Sequence, residues 1–262
     1  MSNVQLKLRG ISQKLEGNVL NDETIEIDQI DYQIDTLPLD VPIQGTVYGA
    51  LLNFKGAYDQ LAPKMNEAPY QNPPKAPVLY IKPKNTYISA QQLIPLPVSE
   101  ESVEVGAALA IVIGKVATKV KEEEALDYVL GYTIANDVSI PHESVHRPAV
   151  KYKARDGFLP VGPWIVQKES VENPNDLQIK VSINGEVKQE NTTKNLLRSV
   201  EKLLADVTDY MTLNEGDVLL VGVPENAPLA KEDDLVTIEI DQIGKLENRV
   251  VSEKHVVGGE IV

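Results

Sequence analysis

The 262-residue chain contains no cysteine, which excludes disulfides and thiolate metal sites. Long hydrophobic runs are also lacking. The longest, Ala107 to Ile113, falls far short of the ~20 residues that a membrane-spanning helix requires. The opening Met1-Ser2-Asn3-Val4-Gln5-Leu6-Lys7 has no apolar h-region, so no signal peptide is expected. Positive charge is scarce: 25 Lys and Arg stand against 39 Asp and Glu, for a net charge of −14. A chain this acidic repels phosphate backbones and anionic membrane, so neither nucleic acid nor membrane is expected as a partner. The plain reading of the charge is solubility, and elimination leaves a cytoplasmic protein as the expectation.

What is present supports one large domain, or a large domain with a small appendage, because 42% of the residues are apolar. Residues 1–44 read as a small N-terminal β subdomain. Thr24-Ile25-Glu26-Ile27-Asp28 alternates with period two, and Pro38 and Pro42 punctuate the stretch that follows. A second unit, residues 45–262, opens with an apolar strand from Thr46 to Leu52 that ends in Asn53-Phe54. Pro63, Pro69, Pro73, Pro74 and Pro77 rule out a long helix or a central strand over 63–77, so a loop or lid is expected there. Short strands are predicted at Val78 to Lys82, Val218 to Val221 and Leu235 to Ile240, and one long strand or two in series from Val103 to Ile113. Asn184-Gly185 suits a type I′ hairpin turn between Ile179–Ile183 and Glu186–Lys188. Helices are predicted at Glu122 to Leu130 and, as the main one, at Thr193 to Met211, with Leu196, Leu197, Val200, Leu203, Leu204 and Val207 on one face. Strands outnumber helices in an order that is not βαβ. The expected class is therefore α+β with a mixed, β-rich core.

Several blocks together resemble the fumarylacetoacetate hydrolase family. They are Gly45-Thr46-Val47 through Asn53-Phe54, Tyr80-Ile81-Lys82-Pro83, Val112-Ile113-Gly114-Lys115, and Gly131-Tyr132-Thr133-Ile134-Ala135-Asn136-Asp137-Val138-Ser139. Lys153-Ala154-Arg155-Asp156-Gly157-Phe158, Leu213-Asn214-Glu215-Gly216-Asp217 and Gly222-Val223-Pro224 follow in family order. Tyr70-Gln71-Asn72-Pro73-Pro74-Lys75 and Ala117-Thr118-Lys119-Val120 narrow the likeness to the 4-hydroxyphenylacetate degradation branch, in its N-terminal type of half. The resemblance implies a β-roll core and isomerase or decarboxylase chemistry on an unsaturated oxo-dicarboxylate. It also implies a Mg²⁺ or Mn²⁺ cofactor that stabilises an enolate, and a dimer, either of this chain with itself or with a paralogue. It places Asp137 as a metal ligand, Lys153, Ser139 and His142 in the chemistry, and Asn53, Phe54, Lys82, Gly222, Val223 and Pro224 around the substrate.

The chain departs from that pattern at several positions. The family's Glu-x-Glu pair falls on Gly106-Ala107-Ala108, its His and Glu dyad on Ala57 and Gln60, an arginine on Pro141 and a threonine on Val223. Glu101 and Glu104 lie upstream of the gap. They read as solvated charges that a register shift would have to bring in, with Glu104 as the fallback ligand. Asp137 and Lys153 also have a structural account, as a turn-capping carboxylate and its ion partner.

His142-Glu143-Ser144-Val145-His146 fits H-E-x-x-H, which taken alone suggests a zinc peptidase with Glu169 or Glu172 as third ligand. Pro148 would end the required helix two residues later, and the motif sits inside a block of another architecture. The expectation is therefore an isomerase or decarboxylase-type enzyme of aromatic catabolism with a degenerate metal site. The alternative is a non-catalytic subunit that pairs with an active paralogue.

Overall fold

The computed structural model describes residues 2–142, 149–257 and 260–261. Short runs of β-branched and apolar residues, broken by Gly, Pro and Asx turns, set its strands. In chain order they are β1 (Ser2–Lys7), β2 (Lys14–Val19), β3 (Thr24–Ile27), β4 (Ile30–Gln33), β5 (Val47–Leu51), β6 (Val78–Lys82), β7 (Tyr87–Ile88), β8 (Leu93–Leu96) and β9 (Val103–Glu104). There follow β10 (Ala107–Ile113), β11 (Val129–Asn136), β12 (Leu159–Gln167), β13 (Gln178–Ile183), β14 (Glu186–Thr192), β15 (Val218–Leu220), β16 (Leu229–Ala230), β17 (Leu235–Ile240) and β18 (Gly244–Ser252). The α-helices are short: α1 (Lys55–Leu61), α2 (Val150–Lys153) and α3 (Val200–Thr208). No helix among the described residues is long and apolar enough to cross a membrane.

The main sheet has eleven strands in the order β4-β3-β2-β1-β12-β11-β10-β15-β5-β6, with β7 on β12. A second sheet runs β14-β13-β17-β18-β8. Most pairs are antiparallel, but β15 with β5, β7 with β12 and β8 with β18 are parallel. The architecture is therefore β-rich α+β with a mixed core. Residues 1–44 supply β1 to β4, and β1 adds them to the main sheet by pairing with β12 at Val4 and Val166.

β10 is the axis of the molecule: all seven of its residues are buried. Its odd-numbered residues Ala107, Leu109, Ile111 and Ile113 join the larger core, with Ile134 and Leu219. Its even-numbered residues Ala108, Ala110 and Val112 face a smaller core with Val47, Ala135, Val161, Val218 and Leu220. A strand buried on both faces needs apolar residues at every position, and this one has them.

Two expected helices are shorter than the periodicity suggested. Residues 193–195 form a 3₁₀ turn, and the α-helix starts only at Val200, where the Ser199 hydroxyl caps it by accepting from the Lys202 N–H at 3.1 Å. Leu196 bridges to Phe54, and the Leu197 N–H donates to Asn53, so this stretch is held extended. Glu122–Tyr128 is 3₁₀ and passes directly into β11. Helix α1 falls where none was expected. Its Gly56 leaves room for the Glu225 carboxylate, which a Cβ there would push aside. The hairpin turn is as expected, with Asn184 at φ 52° and Gly185 at φ 80°.

Gly106 sits between β9 and β10. A Cβ there would fall 2.4 Å from the Asp137 carbonyl oxygen, and backbone on both sides leaves little room to yield. Gly106→Ala is expected to cost about 1–3 kcal/mol through overpacking, measured by urea denaturation. An unchanged midpoint would show that the β10–β11 register can relax.

Candidate functional site

β11 ends at Asn136, and its last pleat delivers Asp137 into the interior, where its side chain is 1% exposed. Opposite residues of an antiparallel pair share a face. Ala107 pairs with Asn136, Ala108 with Ala135 and Glu104 with Ser139, all in one register. Glu104, Gly106 and Ala108 therefore look out on the same side as Asp137 and Ser139. The position where the resemblance implies a second glutamate, Ala108, thus lies next to Asp137 with only a methyl group.

Three groups reach the Asp137 carboxylate instead. The Lys82 ammonium, fully buried on β6, is 2.9 Å from Oδ1. The Lys153 ammonium, at the end of α2, donates to Oδ2 at 2.7 Å. The Tyr80 hydroxyl, also on β6, donates a short hydrogen bond to the same oxygen. Gly49 lies opposite Tyr80 on β5, and a Cβ there would come within 2.1 Å of the ring, so this glycine makes room for the phenol. Lys82 donates further to the carbonyls of Val138 at 2.9 Å and Lys153 at 2.7 Å. That ties the loop after β11 to α2. Lys153 also lies 5.0 Å from the centre of the Tyr80 ring.

Burial alone would raise the Asp137 carboxyl, but Lys153 and Lys82 override it and hold the group well below its ordinary value. Burial lowers the Lys82 ammonium to about 8, against the attraction of Asp137, so it remains protonated at neutral pH. Burial and the adjacent carboxylate push the Tyr80 phenol well up, and it stays a donor.

Glu104 departs from expectation. No register shift is needed, because it lies one pleat repeat from Gly106 on the site face. It is also half-buried rather than solvated. Burial raises its carboxyl above the ordinary value, with Lys153 and His142 acting against and Asp137 with that shift. Its side chain has no hydrogen-bond or ion-pair partner among the described residues.

The Ser139 hydroxyl donates to the Ile140 carbonyl at 3.0 Å and lies 3.3 Å from His142 Nδ1. That nitrogen is 2.9 Å from the same carbonyl, which can only accept, so Nδ1 carries the proton. The ring stacks on Tyr152 with centroids 5.0 Å apart. Glu143 and His146 of the H-E-x-x-H motif lie outside the described residues.

Asn53 is bound on every side. It donates to the carbonyls of Arg198 at 3.2 Å and Val221 at 2.9 Å, and accepts from the Arg198 N–H at 3.0 Å. Phe54 is wholly in the core. Gly222, at φ 115°, passes within 3.1 Å (from an added Cβ) of the Ala50 carbonyl, followed by half-buried Val223 and buried Pro224. Asn53, Phe54 and Gly222 therefore hold the end of β5 against β15. Sequence reasoning missed Tyr80 as a partner of Asp137, and no local signal links residues that far apart. A cavity of about 860 Å³, lined by Arg9, Asn85, Arg155, Asp156, Glu253 and His255, lies elsewhere and does not include Asp137.

A hard dication takes about six oxygen ligands. Asp137 is the only carboxylate in the cluster, both of its oxygens already face cations, and no group of three or more metal-binding side chains exists among the described residues. This donor set does not fit Mg²⁺ or Mn²⁺.

Removing the carboxylate strands Lys82 as a buried, unpaired charge. Asp137→Ala is expected to lose about 3–5 kcal/mol at pH 7, and Lys82→Met with Asp137→Leu to recover most of it. Because the folded carboxyl is depressed, its contribution is full above the unfolded value near 4 and fades as pH falls below it. Urea denaturation from pH 7 to 3 would check both. Equal losses for the single and double variants would refute the pairing.

The family described as fumarylacetoacetate (FAA) hydrolase C-terminal matches residues 46–251. The 4-hydroxyphenylacetate degradation bifunctional isomerase/decarboxylase of Escherichia coli is 39% identical over 214 residues, which is 82% of this chain and 49% of that protein. The chain thus spans about half the length of that curated relative. Among solved structures, the 5-carboxymethyl-2-hydroxymuconate delta-isomerase from Mycobacterium smegmatis superposes with a TM-score of 0.78 at 28% identity, over 96% of this chain and 99% of that one. A maleylpyruvate hydrolase from Sphingobium sp. SYK-6, in complex with manganese(II) ion and pyruvate, shares the fold at a TM-score of 0.76 and 23% identity, over 96% of this chain and 99% of that one. With the family match spanning residues 46–251 and a relative 39% identical over 82% of the chain, the chain belongs to the fumarylacetoacetate hydrolase family.

Proposed function

We propose that the chain is an isomerase or decarboxylase-type enzyme of 4-hydroxyphenylacetate catabolism, acting in the cytoplasm on a small unsaturated oxo-dicarboxylate. Its metal site is degenerate on this reading. The observation that carries it is that an anchored, partly accessible ammonium, Lys153, sits on Asp137 and acts electrostatically on Glu104, a half-buried carboxylate with no hydrogen-bond or ion-pair partner among the described residues. Isomerising a 2-hydroxy diene acid to its 2-oxo tautomer takes one proton from the hydroxyl and returns one to the far carbon of the conjugated system. The oxygen left behind bears the developing negative charge. Lys153 is placed to meet that oxygen with a charge-assisted hydrogen bond, and Glu104 to carry the proton. Ser139 and His142 border the same loop, and Nε2 of His142 has no hydrogen-bond partner among the described residues. Asp137, Lys82 and Tyr80 fix Lys153.

A second reading has its own support. Ala57, Gln60, Pro141 and Val223 stand where the resemblance implies catalytic groups, and the Asp137 carboxylate is ion-paired within the chain to Lys82 and Lys153. These features suit a non-catalytic subunit, paired with an active paralogue in a heterodimer rather than with itself in a homodimer.

Loss of dienol absorbance on adding the purified chain to a 2-hydroxy-diene dicarboxylate separates the two. The enzyme reading expects turnover by the chain alone, with kcat/KM reduced about 10²–10³-fold in Lys153→Met and about 10²-fold or more in Glu104→Gln. Activity that appears only on mixing with a paralogue carrying Glu-x-Glu would replace it with the subunit reading.

A further inference from the structure

We propose that Lys82 and Lys153 together stand in for a divalent cation, making this a metal-independent site for dianionic 2-oxo acids and their enolates. The inference rests on the reading above only in placing the ligand at Lys153.

Charge comes first. One carboxylate with two ammonium groups carries a net single positive charge, the same as one carboxylate holding a dication. The electrostatic demand of an enolate is met without a metal, in a chain whose net charge of −14 otherwise repels such ligands.

Space and donors come next. A metal would have to share Asp137 with two ammonium groups and displace the Tyr80 hydroxyl. Like charges at ion-pair distance in a buried site repel strongly. The two positions nearest Asp137 on β10 add no oxygen, which leaves Glu104 as the one further carboxylate on this face among the described residues. Ala108 is a methyl group, and at Gly106 any side chain would collide with the Asp137 carbonyl.

The two lysines differ in what remains free. Lys82 is wholly buried, and three acceptors surround it: Asp137 Oδ1 and the carbonyls of Val138 and Lys153. Lys82 gives two hydrogen bonds to those carbonyls and an ion pair to Asp137, and with no exposed surface its ammonium cannot reach a ligand. Lys153 gives one bond to Asp137, and its side chain is 12% exposed. Its remaining donors can reach a ligand oxygen, held in place by a carboxylate that cannot move.

Oxalate, a rigid dianion shaped like the enolate of a 2-oxo acid, is the probe. Calorimetry is run in excess EDTA and again in excess Mg²⁺, and Mn²⁺ binding to the protein is followed separately by loss of the free-ion paramagnetic resonance signal. The expected result is oxalate binding of equal affinity in EDTA and Mg²⁺, weakened by about tenfold or more in Lys153→Met, with no Mn²⁺ uptake below millimolar. Oxalate binding that needs the metal, Mn²⁺ binding at micromolar levels that Asp137→Ala abolishes, wild-type affinity in a folded Lys153→Met, or no oxalate binding at all would each overturn the proposal. Metal-free oxalate binding without dienol turnover would sustain this inference while sinking the enzyme reading. Turnover with metal-dependent oxalate binding would do the reverse.

Discussion

A carboxylate buried at the end of a central strand is the constraint on which this structure turns. An ionised Asp137 at 1% exposure is tolerable only when cations and donors replace the water it has lost. They come from two elements distant in sequence. β6 sends Tyr80 and Lys82 from the edge of the main sheet, and α2 sends Lys153 back across the loop that follows β11. Two glycines make this geometrically possible. Gly49 admits the Tyr80 ring, and Gly106 lets β10 approach the Asp137 backbone. Neither glycine is needed for an unusual dihedral angle. Both are needed because a Cβ would occupy space the cluster uses.

The cluster also fixes its surroundings. Lys82 is at once ion partner to Asp137 and hydrogen-bond donor to Val138 and Lys153, so the backbone on both sides of residues 139–152 is tied to one ammonium. The inner lysine has a structural task, and the proposed reading gives the outer one a chemical task. That division follows from burial alone, since a wholly buried ammonium cannot reach a ligand and one at the rim can. Hydrogen bonds between charged groups in a low-dielectric interior are strong, so Lys153 is held in a narrow range of positions without help from the ligand.

Most of the sheet was legible in the sequence, because alternation and turn residues are local signals. The strand at Val78 to Lys82, the Asn184-Gly185 hairpin and the strands after Asp217 and Asp234 all follow from them. The helices were less legible, because tertiary contacts decide their ends. Thr193 to Leu197 has helical periodicity, yet Asn53 and Phe54 capture its backbone, and Ser199 starts the helix late. Helix α1 contains a glycine and no cap, so nothing local announces it. At the site, Asp137 and Lys153 were legible through resemblance. Tyr80 was not, since only the pairing of β5 with β6 brings it across. Glu104 was misjudged for a physical reason. Strand geometry repeats every two residues, so a carboxylate two positions upstream of Gly106 keeps the site face without any slip of register.

The same geometry bears on which of the two reactions named for the Escherichia coli relative suits this half-length chain. A dication binds two ligand oxygens at once, and by chelating a 2-oxo acid it can draw charge from both the carboxylate and the oxo group while a carbon–carbon bond breaks. A rim ammonium brings one charge and two remaining N–H donors on a single nitrogen, and draws less charge from a pair of ligand oxygens than a chelating dication does. Moving a proton along a conjugated system asks for less. It needs one stabilised oxygen and one carboxylate that can accept and return a proton, at modest cost because no leaving group departs. Lys153 and Glu104 supply that pair on the proposed reading, and nothing among the described residues supplies a second electrophile beside them. On the proposed reading, the chemistry of this site is therefore tautomerisation, and bond cleavage belongs to a partner with a full set of carboxylates.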